Sequence, residues 1–182
     1  HYDTLFFVPA KTPYDYFSKD YKKGVKLYCN GVMIMEKCED LIPDYLGFIK
    51  GIVDSSDLSL NISREILQQD RQVKAIATSL EKKILSELKK MMEDDKENYQ
   101  KMFAEFGLSI KFGVYAGFGM NKDKLKDLLM FYSSKKEQLV TLAEYVKGMQ
   151  DGQEFIYYAS GESYDKIASL PNIEKLKNKG YE

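Results

Sequence analysis

Arg64 and Gln68 are the two residues of this chain whose types and spacing could do chemistry together. Four positions apart on a helix, they share one face, where a guanidinium can grip a phosphate through paired N–H groups and an amide can hydrogen-bond it or a water. The helix that carries them is expected to begin at Asn61 or Ser63, both good N-cap residues. A helix N-terminus bears roughly +0.5 elementary charge, so a cation in its first turn costs a few tenths to about 1 kcal/mol, offset in part by Glu65 beside it. Free backbone N–H groups at the same end would face the same anion. Two readings are open at this point: Arg64 engages an anionic ligand, or it pairs with Asp54, Asp57 or another surface carboxylate, an interaction that contributes little.

Other constellations are excluded by what is missing from them. His1 is the only histidine, which removes Ser-His-Asp and Cys-His nucleophile systems. Cys29 and Cys38 lack the paired spacing of a zinc site and read as reduced, packed thiols, so no metal site is expected. The glycines of Tyr115-Ala116-Gly117-Phe118-Gly119-Met120 follow neither a dinucleotide fingerprint nor a phosphate-binding loop, and read as a surface loop. Asn61-Ile62-Ser63 is formally a glycosylation sequon, but Asn61 serves a helix start and nothing indicates secretion.

Charge and length set further bounds. With 27 basic and 28 acidic residues in 182, the net charge is −1, and no basic block appears, which argues against a nucleic-acid surface. No apolar run approaches the roughly 20 residues of a membrane span. The 44% hydrophobic content suffices for one large or two small cores, and a start at His1 rather than methionine reads as a fragment or a processed chain.

The positioning elements follow from periodicity. Leu5-Phe6-Phe7-Val8 reads as a buried strand stopped by Pro9, with upstream sequence expected in the same sheet. A proline-stiffened loop then carries Tyr14, Tyr16 and Phe17 as core anchors. Val25 to Cys29 alternates as a strand, and the local rule makes Asn30-Gly31 a type I′ hairpin turn before Val32-Met33-Ile34-Met35. Residues 39–50 predict a short helix with Asp40 as cap, Ile42, Tyr45, Leu46 and Ile49 as its apolar stripe, and Gly51 as C′. After the short strand Ile52-Val53, Val73, Ile76, Ala77, Leu80, Ile84, Leu88 and Met91 continue the Arg64 helix at spacings of three and four. Acidic residues from Glu93 mark a boundary; a helix from Asn98 to Phe106 is expected to stop at Gly107, with weak strand alternation from Ser109 to Val114. Beyond Lys122 the pattern predicts helix to Leu128, an extended Leu129 to Tyr132, a helix Thr141 to Lys147, a strand Phe155 to Ala159, and helices 163–169 and 173–179 ending at Gly180.

The run Ile52 to Gln68 resembles the signature of the middle domain of the heat-shock-protein-90 chaperones, including their bacterial form, and Leu129 to Ser134 and Phe155 to Ser163 resemble further stretches of it. The resemblance covers nearly the whole chain. It implies an α/β fold: two α/β sandwich-type subdomains joined by a helical connector, both sheets truncated at the fragment ends. Residues 1–92 would be the C-terminal part of the larger subdomain, 93–120 a helical connector and loop, and 121–182 the smaller subdomain. It also implies that Arg64 and Gln68 reach the γ-phosphate of ATP, with Mg2+, held by a separate N-terminal ATP-binding domain. Met33 stands where the family has a phenylalanine that packs on that domain, and Asn30-Gly31 where it has arginine-type residues within one long strand. That comparison favours a single bent strand with a bulge at Gly31 over the hairpin. The implied parent is a cytoplasmic homodimer with a C-terminal dimerisation domain, non-native client proteins and co-chaperones as partners, and neither nucleic acid nor membrane among them. This chain alone would not hydrolyse ATP. The competing class is a non-catalytic docking module in which Arg64 is a structural ion-pair residue.

Overall fold

Four strands pair into a sheet in the first part of the chain: β1 (Tyr2–Phe7), β2 (Val25–Cys29), β3 (Val32–Cys38) and β4 (Lys50–Ser55), in the order β1-β4-β2-β3. The computed structural model describes residues 1–58 and 71–182. They fall into two units, His1–Leu128 and Leu129–Glu182. Both combine strands and helices, so the fold is α/β.

In the sheet, β1 runs antiparallel to β4, β4 parallel to β2, and β2 antiparallel to β3. Val25, Leu27, Cys29 and Val53 are buried on one face, the outcome expected of period-two alternation. Leu5 to Val8 was expected to be buried; instead β1 is an edge strand whose Leu5 and Phe7 are exposed. Its side chains alternate between two environments, and being apolar did not place all of them inside. Of the three loop aromatics only Tyr16 is a core anchor, edge-on to Phe106 at 5.7 Å, whereas Tyr14 and Phe17 are exposed.

The single bent strand is also corrected. Cys29 pairs with Val32 across a two-residue turn, and Asn30 and Gly31 both have positive φ, 49° and 78°, as a type I′ hairpin demands. Asn and Gly are the residues that enter this region at least cost, so the local rule prevails over the family pattern. The irregularity expected at Gly31 lies instead within β2, where the register shifts on either side of Leu27.

Residues 39–50 do not form the expected helix. Two single 3-10 turns, Glu39–Leu41 and Asp44–Leu46, flank Pro43. Proline has no N–H and pushes its predecessor out of the helical region, and Ile42 is extended at φ −129°, ψ 123°. The apolar stripe is nevertheless buried: Ile42, Tyr45, Leu46 and Ile49 all lie in the core. Gly51 is not a helix cap but a member of β4, pressed against the backbone of β1.

Helix α1, described over Arg71–Asp94, buries Val73, Ile76, Leu80, Ile84 and Leu88, the face that the spacing predicts. Asp95 separates it from α2 (Lys96–Tyr115), its carboxylate accepting the Asn98 N–H at 3.2 Å as an N-cap. Helix α2 runs straight through Gly107, where a stop was expected, and through 109–114, where a strand was expected. Those glycines serve packing. A Cβ at Gly113 would lie 2.5 Å from the Cβ of Tyr45, so only glycine lets α2 approach the Asp44–Leu46 turn this closely.

Tyr99 is fully buried on α2 and its hydroxyl donates to the Leu128 carbonyl at 2.6 Å, while burial pushes its pKa upward and keeps it a donor. Tyr99→Phe is expected to cost about 1–3 kcal/mol, because it strands a buried carbonyl without a partner. Urea unfolding of the variant checks this; an unchanged midpoint would mean that the carbonyl finds another donor.

Helix α3 (Lys122–Leu125) and a 3-10 turn (Lys126–Leu128) end the first unit. In the second, β5 (Met130–Ser133) and β6 (Gln138–Thr141) form an antiparallel hairpin. Helix α4 (Leu142–Lys147) starts at a capping box of Thr141 and Glu144. Helices α5 (Tyr164–Ala168) and α6 (Pro171–Asn178) follow, and Gly180 takes positive φ, 77°, just beyond the end of α6. The expected strand Phe155 to Ala159 is not one: among the described residues it pairs with no strand, and Phe155 and Tyr158 are exposed. A strand needs a ladder partner, and apolar residues do not supply it.

Candidate functional site

Arg64 and Gln68 lie outside the described residues. What the structure describes is the stretch of chain that precedes them. Strand β4 ends at Asp54 and Ser55, and the chain turns through Ser56 and Asp57 to a buried Leu58. The Ser55 hydroxyl is buried and lies 3.4 Å from the Asp57 N–H, a local bond that shapes the turn.

The hairpin tip closes on this turn from the side. The Gly31 N–H donates to Asp54 Oδ2 at 2.9 Å, and the Cys29 thiol donates to the Leu58 carbonyl at 2.9 Å. Asn30 Nδ2 donates in turn to Cys29 Sγ at 3.6 Å. Asp54 Oδ1 is buried and has no hydrogen-bond partner among the described residues. Val32 and Met33, on the strand leaving the tip, are 54% and 52% exposed, so Met33 is free to meet another body. Both cysteines are buried and neither is in a disulfide among the described residues. The sequence offered one signal for this cluster, the Asn-Gly pair. The partners Asp54 and Leu58 lie too far along the chain to be inferred from it.

A second polar junction sits where α1 meets its neighbours. Glu81 of α1 accepts from the Tyr45 hydroxyl and from Lys124 of α3 at 2.7 Å. Burial works to raise the pKa of Glu81, but hydrogen bonds from Lys124 and Tyr45 outweigh it and hold the carboxyl below its ordinary value. Burial and the same carboxylate push Tyr45 the other way, upward. Because the Glu81 pKa is depressed in the fold, its contribution is present at neutral pH and disappears as pH falls through that lowered value. Glu81→Gln is expected to cost about 1.5–3 kcal/mol at pH 7, the range for hydrogen bonds to charged groups. It should also flatten the acid side of the stability profile, which urea midpoints at neutral and acid pH would reveal.

Near the loop aromatics, Tyr16, Phe17, Tyr21, Lys23, Asp44 and Ser109 line an open cavity of about 290 Å³. Its polar groups satisfy one another: Lys23 pairs with Asp44 at 2.6 Å and donates to the Ile42 carbonyl, and the Tyr16 and Ser109 hydroxyls lie 3.0 Å apart. Lys50 lies over the Tyr21 ring and burial lowers its pKa. These contacts are those of a structural seam. The tyrosine, phenylalanine and methionine content is not all core, however: Leu108, Phe112, Tyr115, Phe118 and Met120 are exposed along α2 and the turn after it. Among the described residues no group of three or more His, Cys, Asp or Glu is placed to hold a metal ion, and no helix is long and apolar enough to cross a membrane.

Comparison with known proteins covers the whole chain. The family described as Hsp90 protein matches residues 1–182. The chain is 59% identical over 181 residues to the chaperone protein HtpG of Clostridium acetobutylicum, 58% to that of Bacillus subtilis and 57% to that of Clostridium perfringens. Each alignment takes in 100% of this chain and 29% of the relative, so the chain spans about three tenths of the length of the curated relatives it matches. A match from the first residue to the last, with identities this high, establishes that the chain belongs to the Hsp90 protein family.

Proposed function

We propose that this chain is the middle segment of an ATP-dependent chaperone and completes a split ATPase site. Arg64 neutralises charge that builds on the γ-phosphate, and Gln68 orients the same site. A separate N-terminal domain holds ATP with Mg2+, and Met33 packs against that domain. Residues 1–92 and 121–182 are its two subdomains and 93–120 the segment between them. The parent is a cytoplasmic homodimer joined through a C-terminal dimerisation domain, and it acts on non-native client proteins with co-chaperones.

The observation that carries this reading is the Arg64–Gln68 pair within a chain that matches the Hsp90 protein family over its whole length. Exposure of Met33 on the strand leaving the hairpin tip supports it, since a docking residue must be accessible. Charge compensation by a positioned arginine is a large term in phosphoryl transfer, and the group can come from a different body than the one that binds the nucleotide. The test is ATP turnover and nucleotide affinity of the full-length parent carrying Arg64→Ala. Collapsed turnover with retained affinity supports the split site. Unchanged turnover in a folded variant makes Arg64 a structural ion-pair residue and the chain a docking module.

A further inference from the structure

The bonds between the β2–β3 tip and the end of β4 are more than a type I′ turn needs. Asn30 and Gly31 close that turn by their backbone angles alone. Yet the Gly31 N–H is spent on a carboxylate 23 residues further on, and the buried Cys29 thiol on a carbonyl 29 residues further on. The two acceptors, Asp54 and Leu58, stand at opposite ends of one turn. The backbone adds a third tie, because Tyr28 and Asp54 are register partners in the parallel β2–β4 ladder. One tip therefore holds both ends of the turn from which the chain proceeds to Arg64. The same tip presents Val32 and Met33 outward.

We propose that the β2–β3 tip is a positioning latch, in which Gly31 and Cys29 fix the turn 54–58 and with it the stretch of chain that proceeds to Arg64. Asp54 and Cys29 are then positioning residues that act through Arg64, and the inference rests on the proposed role of Arg64. Charge-assisted bonds are the stronger of the two kinds, so Asp54 carries more of the latch than the weakly donating thiol does. Asparagine at 54 keeps an oxygen that can accept the Gly31 N–H, whereas alanine does not.

The test uses the full-length parent with Asp54→Ala, Asp54→Asn and Cys29→Ala, each alone and combined with Arg64→Ala, reading ATP turnover, nucleotide affinity and thermal midpoint. Asp54→Ala is expected to lower turnover roughly tenfold, the equivalent of one hydrogen bond to a charged group, with affinity unchanged. Asp54→Asn should restore most of it. In the Arg64→Ala background, Asp54→Ala should bring no further loss, because residues that act through one group are not additive. Wild-type turnover in a folded Asp54→Ala protein overturns the latch, as does a loss that persists undiminished without Arg64; both leave the role of Arg64 standing. Unchanged turnover in Arg64→Ala itself overturns that role and the latch with it. Should Asp54→Ala fail to fold, Cys29→Ala, which removes the donor to the Leu58 carbonyl together with the acceptor of Asn30 Nδ2, decides by the same comparison: a loss abolished in the Arg64→Ala background supports the latch, and no loss overturns it.

Discussion

Full-length parent carrying Arg64→Ala is expected to bind ATP with near-native affinity and to turn it over at least about 10²-fold more slowly, the lower end of what one electrostatic contact to a transition state supplies. The split between binding and turnover carries the diagnosis. If the nucleotide is held by a separate domain, loss of Arg64 leaves the ground-state complex almost untouched and removes only an interaction that strengthens as charge moves onto the γ-phosphate. Arg64→Lys keeps the charge but loses the planar fork, and should recover only part of the rate. Gln68→Ala, lacking a charge contribution, should fall between that variant and the native protein. A loss of affinity with turnover at saturating ATP unchanged would instead place Arg64 in uniform binding, and the split-site mechanism would have to be abandoned.

Gly51→Ala is expected to be the most destabilising single methyl group that can be added to the first unit. Gly51 has φ 149°, a region that residues with a Cβ rarely adopt, and it faces Phe6 in the β1–β4 ladder. A Cβ built there lies 2.0 Å from the Leu5 carbonyl oxygen and 2.8 Å from the Phe6 ring. The ring can move. The carbonyl cannot without giving up the strand pairing. Backbone strain and overpacking each cost about 1–3 kcal/mol, so the sum is about 2–6 kcal/mol. That is a large share of the stability of a domain this size. Denaturant unfolding of the chain should show the loss. Hydrogen exchange should show amides of β1 and β4 losing protection before those of α1 and α2, because the strain is released most cheaply by detaching an edge strand. A midpoint within a few tenths of a kcal/mol of the native protein would mean that β1 contributes little to the sheet.

Where the readings from sequence succeeded, the information was local and repeated. The buried face of α1 could be read from Val73 to Leu88 because each turn of the helix adds another apolar residue in phase. Thr141 at the start of α4, and Gly180 after α6, mark helix ends through chemistry confined to a few residues. Asn30-Gly31 belongs with them: its backbone angles follow from two side chains, and comparison with a long family strand misled because those two residues differ from the family's. Arg64, Gln68 and Met33 were legible as residue types in a motif, which carries their proposed roles but not their neighbours.

Where the readings failed, a distant residue decided. Gly107 signals a helix stop by propensity and 109–114 a weak strand by alternation, yet α2 continues through both, and at Gly113 the missing Cβ is room taken by Tyr45, far back in the chain. Leu5 and Phe7 have the composition of a core strand, but they lie on a sheet face that is exposed, as Ile52, the partner of Leu5 on the inner strand β4, is exposed too. The junction of Glu81, Tyr45 and Lys124 and the tip that joins Gly31 to Asp54 and Cys29 to Leu58 were invisible for the same reason. By itself the sequence determined the α/β class, the buried face of the long helix, the helix ends at Thr141 and Gly180 and the motif bearing Arg64, all of them set by neighbours within a turn or a strand. Only the tertiary structure decided which strand is an edge, which glycine is a close contact and which polar groups meet, because packing and long-range hydrogen bonds depend on residues that the chain brings together only when it folds.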